Sequence, residues 1–273
     1  MRKLVEDSKG HYAKVNGLNM FYEDHGSGPP LVLIHGGIAT ARFNWGPMIP
    51  HLTPHFRVIA LDCRGHGKTD NPSGEFSYKL MGDDTVALIR ELKLEKPIIF
   101  GWSDGGQIAL EIGINYPGLA KALIAGGVLS EISDHYKDFM KSLGIYGPGD
   151  VDFNKLQETY SEFAEALIHS HSSVYGADYF VKVLFVNISK MWTNPEEFPG
   201  DRLTKIVDPT LVLHGDRDEA IPLEDPVRIY RMILNAELAV MPNAGHGVCT
   251  SQPEKTAEII IDYAKRLEEQ TSK

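Results

Sequence analysis

Two cysteines, Cys63 and Cys249, are all that 273 residues contain. They lie far apart and lack C-x-x-C spacing, which excludes a disulfide framework and a dithiol redox motif; reduced thiols are the expectation. No apolar run approaches the ~18 residues of a membrane span. The opening MRKLVEDSKG begins with basic Arg2 and Lys3 but has no apolar stretch behind them, so a cytoplasmic protein without membrane association is expected. Basic clusters are lacking as well. With 27 Lys and Arg against 37 Asp and Glu, the formal charge is −10, and the positive footprint of a nucleic-acid binder is missing. No internal repeat, low-complexity tract, G-x-G-x-x-G or Walker loop occurs, so nucleotide binding has no support.

What remains is an ordinary globular composition, 42% apolar and 23% charged, long enough for one large α/β domain with or without an insertion. Asn16-Gly17 between two strand-like runs is a two-residue hairpin signal. Short apolar runs then end in turn residues: LVLIHGG at 31, VIALDCRG at 58, IIFGWS at 98, ALIAGG at 122, LVLHGD at 211 and LAVMPNAG at 238. Runs this short suit strands buried on both faces of a parallel sheet. Between them, Met81, Thr85, Leu88 and Leu92 form one helical stripe, and Ala257, Ile260, Ile261, Ala264 and Leu267 another. The pattern predicts a mostly parallel, doubly wound α/β sheet with an antiparallel N-terminal hairpin.

The alternation breaks between Glu131 and Gly200. This stretch shows helical segments and no convincing buried strand, yet holds twelve of the 25 Phe, Trp and Tyr residues. Some of these aromatics must form a satellite core. Inserted at the carboxyl ends of parallel strands, the stretch would also roof the place where ligands bind in such sheets. The expected organisation is therefore a core of residues 1–130 and 201–273 with a helical lid at 131–200.

Gly101-Trp102-Ser103-Asp104-Gly105 is a G-x-S-x-G sequence between a strand pattern and a helix pattern. Small residues on either side allow a turn tight enough to expose the serine hydroxyl. A serine needs a base, and the base an orienting group. His246, between the last strand and the last helix, is the candidate base. His35 and His214 also end strands but read as packed structural residues. Asp218 is the candidate orienter and Asp216 a turn-former. An oxyanion hole would take the backbone N–H of Asp104 and one from the Gly36-Gly37 loop, most simply Gly37, with Ile38 as its alternative. Trp102 and Asp104, flanking the serine, are candidate substrate contacts. An acid at 104 would attract a cationic group or merely favour the helix N-terminus. His214, Asp216 and Asp218 superficially suggest a metal site, but no second ligand cluster accompanies them.

Together, LVLIHGG, DCRGHGKTD, GWSDGG, LVLHGDRDEAIP and AGHG occur in an order that resembles the α/β-hydrolase superfamily over nearly the whole chain. The resemblance implies an acyl-enzyme on Ser103, His246 as base and then acid, Asp218 as orienter, deacylation by water, and no metal or organic cofactor. A serine at the turn argues against haloalkane dehalogenases and epoxide hydrolases, which use aspartate there. GWSDGG is similar to the valacyclovir hydrolase-like (biphenyl hydrolase-like) members, in which the acid at the position of Asp104 receives a substrate amine. The implied activity is hydrolysis of small to medium, partly hydrophobic carboxylic esters, with a small-molecule ester as the partner. Amino-acid ester hydrolysis, lactone or C–C bond hydrolysis, a haloperoxidase-like perhydrolase activity and a receptor with a retained triad are the alternatives.

Overall fold

The computed structural model describes residues 10–271; 1–9 and 272–273, the ends of the expected core and the basic opening, lie outside the described residues. Strand β1 (His11–Val15) pairs antiparallel with β2 (Leu18–His25) across Asn16 and Gly17, at φ 48° and 79°. Two consecutive positive φ values are what a type I′ turn needs, and Asn-Gly tolerates them best. The remaining strands of the main sheet are β3 (Pro30–Ile34), β4 (Arg57–Leu61), β5 (Ile98–Trp102), β6 (Ala122–Gly126), β9 (Thr210–Gly215) and β10 (Ala236–Met241). A separate two-stranded hairpin, β7 (Ile145–Gly147) with β8 (Asp150–Val151), lies within the segment where no strand was expected. It is too short to carry a periodic signal.

The eight-stranded sheet runs β1-β2-β4-β3-β5-β6-β9-β10. β2 meets β4 antiparallel, and every later pairing is parallel. Alternate residues of the central strands enter opposite cores: Leu31 and Leu33 pack with Trp45, Leu52 and Phe100, while Val32 and Ile34 pack with Ile99, Ile108 and Val212. Burial on both faces is why these strands read as unbroken apolar runs. Met81, Thr85 and Leu88 are buried along the helix Tyr78–Glu91. Ala257, Ile260, Ala264 and Leu267 are buried along the helix Pro253–Thr271.

After β4, the DCRGHG turn is held by its own side chains. Asp62 accepts from the N–H groups of Ala41 and Lys68, and Arg64 forms a buried two-pronged pair with Asp84 at 2.7 and 2.9 Å. Segment 131–200 is mostly helical. Instead of forming the expected satellite core, its buried side chains, Phe180 and Phe185 among them, join the same core as Val32 and Ile34. Phe153 meets those two rings edge-on. The segment's tyrosines reach back to the sheet's loops: the Tyr179 hydroxyl donates to the Gly65 carbonyl at 2.9 Å, and that of Tyr175 donates to Thr69. No helix among the described residues is long and apolar enough to cross a membrane.

Candidate active site

Ser103 stands between β5 and the helix Asp104–Asn115, at φ 56° and ψ −119°. A non-glycine residue there is strained by ~1–3 kcal/mol and needs surroundings that impose it. Here the neighbours do. Ser103 N–H donates to Gly126 O at 2.7 Å, and Ser103 O accepts from Gln107 N–H as the helix begins. A methyl group at Gly101 would lie 1.8 Å from the Gly105 carbonyl oxygen, and one at Gly105 would lie 2.0 Å from that of Ile34. The glycines are demanded by this close approach of strand, turn and helix.

The base and orienter expected from the sequence converge on that hydroxyl. His246 Nε2 lies 3.0 Å from Ser103 Oγ, and His246 Nδ1 lies 2.8 Å from Asp218 Oδ2. Asp218 is fully buried as a side chain; its other oxygen accepts from the N–H groups of Ala220 and Ile221 at 2.9 and 3.0 Å. The acceptor on Nδ1 fixes that nitrogen as the N–H, leaving the Nε2 lone pair for the serine proton. Burial opposes charge on both groups, but their mutual attraction outweighs it: Asp218 is held below the usual carboxylate range. His246 is held above the usual imidazole value, with Glu219 and Asp104 adding to the effect.

His35 and His214 are packed structural groups, as expected. His35 accepts from Cys63 N–H and donates to Gly36 O, and its burial lowers its pKa to about 4. His214 donates to Ile221 O at 3.1 Å. Asp216 is exposed and accepts from Ala244 N–H at 3.1 Å, which is the work of a turn-former. Cys63 and Cys249 are buried and unpaired.

The loop expected to complete an oxyanion hole lies against the serine. A methyl on Gly36 would sit 3.4 Å from Ser103 Cβ, and one on Gly37 would collide with Trp192 and the Asp104 carboxylate at 2.3 and 2.5 Å. Gly36 O accepts from Ala39 N–H at 3.3 Å, which closes a turn whose third residue, Ile38, has φ 53°. Gly36 N–H donates to Asn44 Oδ1 at 2.9 Å.

Trp102 and Asp104 occupy different surroundings from each other. Trp102 is buried, and its indole N–H donates to the His246 carbonyl at 2.8 Å. It lines the cavity but spends its polar atom on the loop that carries His246. Asp104 accepts from the Tyr78 hydroxyl and the Trp192 indole, each at 2.8 Å. Its burial, only partly offset by those hydrogen bonds, raises the carboxyl to about 6. Tyr78 and Trp192 were not singled out from the sequence, since no spacing links them to Asp104. Glu219 was also missed; it accepts from His246 N–H at 3.2 Å and follows Asp218 in a loop where one acid was enough to explain the pattern.

Ser103 and His246 sit where two cavities meet. An outer cleft of about 380 Å³ includes Phe43, Asn44, Tyr160, Glu219 and Thr250. An inner chamber of about 120 Å³ includes Tyr78, Asp104, Tyr136, Met140 and Trp192. Phe139, Leu143 and Phe163 of segment 131–200 border both. Among the described residues, no lysine or arginine lines either one.

Residues 31–259 match the model of the alpha/beta hydrolase family. A 2-hydroxy-6-oxo-6-(2'-aminophenyl)hexa-2,4-dienoic acid hydrolase of Metapseudomonas resinovorans is 27% identical, over 97% of this chain and 95% of its own. The human serine hydrolase BPHL is 27% identical over 86% of this chain and 79% of its own. Among solved structures, a meta-cleavage product hydrolase from Pseudomonas fluorescens IP01 superposes with a TM-score of 0.79 at 23% identity, covering 94% of this chain and 98% of that one.

Proposed function

The chain belongs to the alpha/beta hydrolase family, and on that premise we propose that it is a serine-dependent hydrolase of small to medium, partly hydrophobic carboxylic esters. One observation carries the reading: Asp218, His246 and Ser103 form an unbroken hydrogen-bonded series that opens on a largely apolar cleft. Ser103 Oγ attacks the ester carbonyl while His246 Nε2 takes its proton. Asp218 holds the imidazole and balances the imidazolium. The N–H groups of Asp104 and Gly37 receive the oxyanion; losing one such donor costs ~3 kcal/mol of transition-state stabilisation. His246 protonates the departing alcohol, then activates the water that releases the acid. The segment 131–200 acts as the lid over this site.

Beside the dienoic acid hydrolase, the relatives include a pimeloyl-[acyl-carrier protein] methyl ester esterase of Nitrosospira multiformis, 26% identical over 91% of this chain and 99% of its own. Electrostatics favours the ester. A dienoic acid substrate brings its own carboxylate, yet the residues facing the cavities include Asp104 and Glu219 and no lysine or arginine among those described. Burying a substrate carboxylate there without a cation is unfavourable. The same balance supports a second reading, hydrolysis of amino-acid esters. Asp104 is 7% exposed and bonded to neutral donors, and a substrate ammonium would supply the missing positive charge.

A panel of p-nitrophenyl and amino-acid esters, run on wild type beside Ser103→Ala, tests both. Repeated turnover that vanishes in Ser103→Ala is the expected result. Retained activity in the variant would mean another nucleophile, and a single slow hydrolytic event per molecule would mean a receptor. Equal loss of amine-bearing and neutral esters in Asp104→Asn would remove the second reading.

A further inference from the structure

Behind the inner chamber lies a third cavity, a groove of about 430 Å³ between the helix Asp134–Ser142, the β7–β8 hairpin and residues 192–195. Three side chains, Tyr136, Met140 and Trp192, face both the chamber and the groove. They are 6%, 5% and 6% exposed. The wall between the two spaces is therefore one side chain thick. Two of its members are fixed. Trp192 is bonded to Asp104 at 2.8 Å, and Tyr136 packs edge-on against Phe198. Met140 has no polar tether, and its unbranched side chain has three rotatable bonds.

Resting on the ester-hydrolase reading, we propose that the substrate's acyl chain occupies the inner chamber, that Met140 sets its length limit, and that the groove is the overflow subsite for longer apolar chains. The order of events assigns the acyl group to the inner side. The alcohol must leave before water can attack, while the acyl group stays covalently fixed to Ser103. An alcohol held in the inner chamber would be trapped behind that acyl group, whereas the open outer cleft lets it go and admits water. The groove suits an apolar chain. Ile132, Ile145 and Pro195 border it, and its two lysines, Lys137 and Lys141, are already paired with Asp134 and Asp138 at 2.7 and 2.8 Å.

Linear alkylboronic acids from two to eight carbons test this without requiring turnover, because boron adds reversibly to a reactive serine hydroxyl. Affinities measured by calorimetry on wild type, Met140→Ala and Met140→Phe should show a chain-length break. Met140→Ala should move the break to longer chains and raise octyl affinity relative to butyl about tenfold, the worth of roughly two buried methylenes. Met140→Phe should move it the other way, so one unfolded variant still leaves the other to decide. The proposal is overturned if neither variant moves the break, or if Phe43→Ala in the outer cleft moves it instead. Boronate binding with that profile but no hydrolysis of any ester would sink the ester-hydrolase reading and leave the subsite standing; no boronate binding to wild type would sink both.

Discussion

Trp192 donates its indole N–H to Asp104, meeting both carboxylate oxygens at 2.8 Å. One partner ends a helix of segment 131–200, and the other directly follows Ser103. The contact fastens a side chain of segment 131–200 that lines the inner chamber to the residue whose N–H is proposed to hold the oxyanion. It also leaves a buried carboxylate facing neutral donors, Trp192 and Tyr78, inside a chamber with no lysine or arginine among its described residues.

That arrangement has a measurable cost. Burial raises the Asp104 carboxyl from 3.8 to about 6, so the native state binds this proton more readily than the unfolded chain. Stability conferred by protonated Asp104 is present below pH ~4 and is lost as pH rises through about 6. Asp104→Asn keeps an oxygen for both donors and does not titrate. Relative to wild type it should gain roughly 2–3 kcal/mol between pH 4 and pH 7.5, because only wild type titrates at this position in that range. Denaturant melts at both pH values check this. A gap that does not change with pH would mean the carboxylate is compensated after all.

The same residue shows where sequence reading stops. Asp104 was legible as an acid beside the nucleophile candidate because the G-x-S-x-G spacing is local. Its partners Tyr78 and Trp192 lie 26 and 88 residues away, on helices whose stripes announce burial but not direction. The central strands β3, β4, β5, β6 and β9 were readable because each buries both faces. The Ser103, Asp218 and His246 positions were readable because each follows a strand end on one sheet edge. The β7–β8 hairpin, three residues and two, is too short for any period. Trp102 was legible only as a neighbour of the serine, because its indole bond to a backbone carbonyl 144 residues on leaves no trace in the sequence.

Ser103 carries a backbone cost as well. At φ 56°, glycine is at ease and any L side chain is not. Ser103→Ala and Ser103→Gly should both lose ester turnover, by about 10⁶ in kcat where the serine acts in a triad. They should differ in stability, with Ser103→Gly melting higher than Ser103→Ala through relief of ~1–3 kcal/mol of strain. Equal melting temperatures would argue that the turn is unstrained.

The pH dependence follows from His246. It must be neutral to accept the Ser103 proton, so kcat/KM rises with pH as the imidazolium deprotonates. Burial favours the neutral form, but Asp218, Glu219 and Asp104 together raise its pKa above the usual 6.5. The acid limb of the profile should therefore have its midpoint above 6.5. Glu219→Gln should move that midpoint down while keeping most of the activity, and added salt should mimic the change because Glu219 is exposed. A midpoint indifferent to both would remove Glu219 from the balance.

Trp102 offers the sharpest separation of position from contact. Its N–H reaches the His246 carbonyl at 2.8 Å, and its ring centre lies 6.0 Å from the imidazole. A methyl group at Gly126 would sit 2.2 Å from that indole, so the ring packs directly on the Gly126 backbone. Trp102→Phe keeps an aromatic ring but removes the donor, leaving a part-buried carbonyl unpaired at ~1–3 kcal/mol. The loop carrying His246 then loses one of its ties; the others include His246 N–H to Glu219 at 3.2 Å and Ala244 N–H to Asp216 at 3.1 Å. A base displaced by a fraction of an ångström weakens proton transfer more than substrate binding. The expected outcome is a fall in kcat of about tenfold with KM within about twofold. Steady-state kinetics on a neutral ester decides it. A rise in KM at unchanged kcat would make Trp102 a substrate contact after all, as its place beside the serine first suggested.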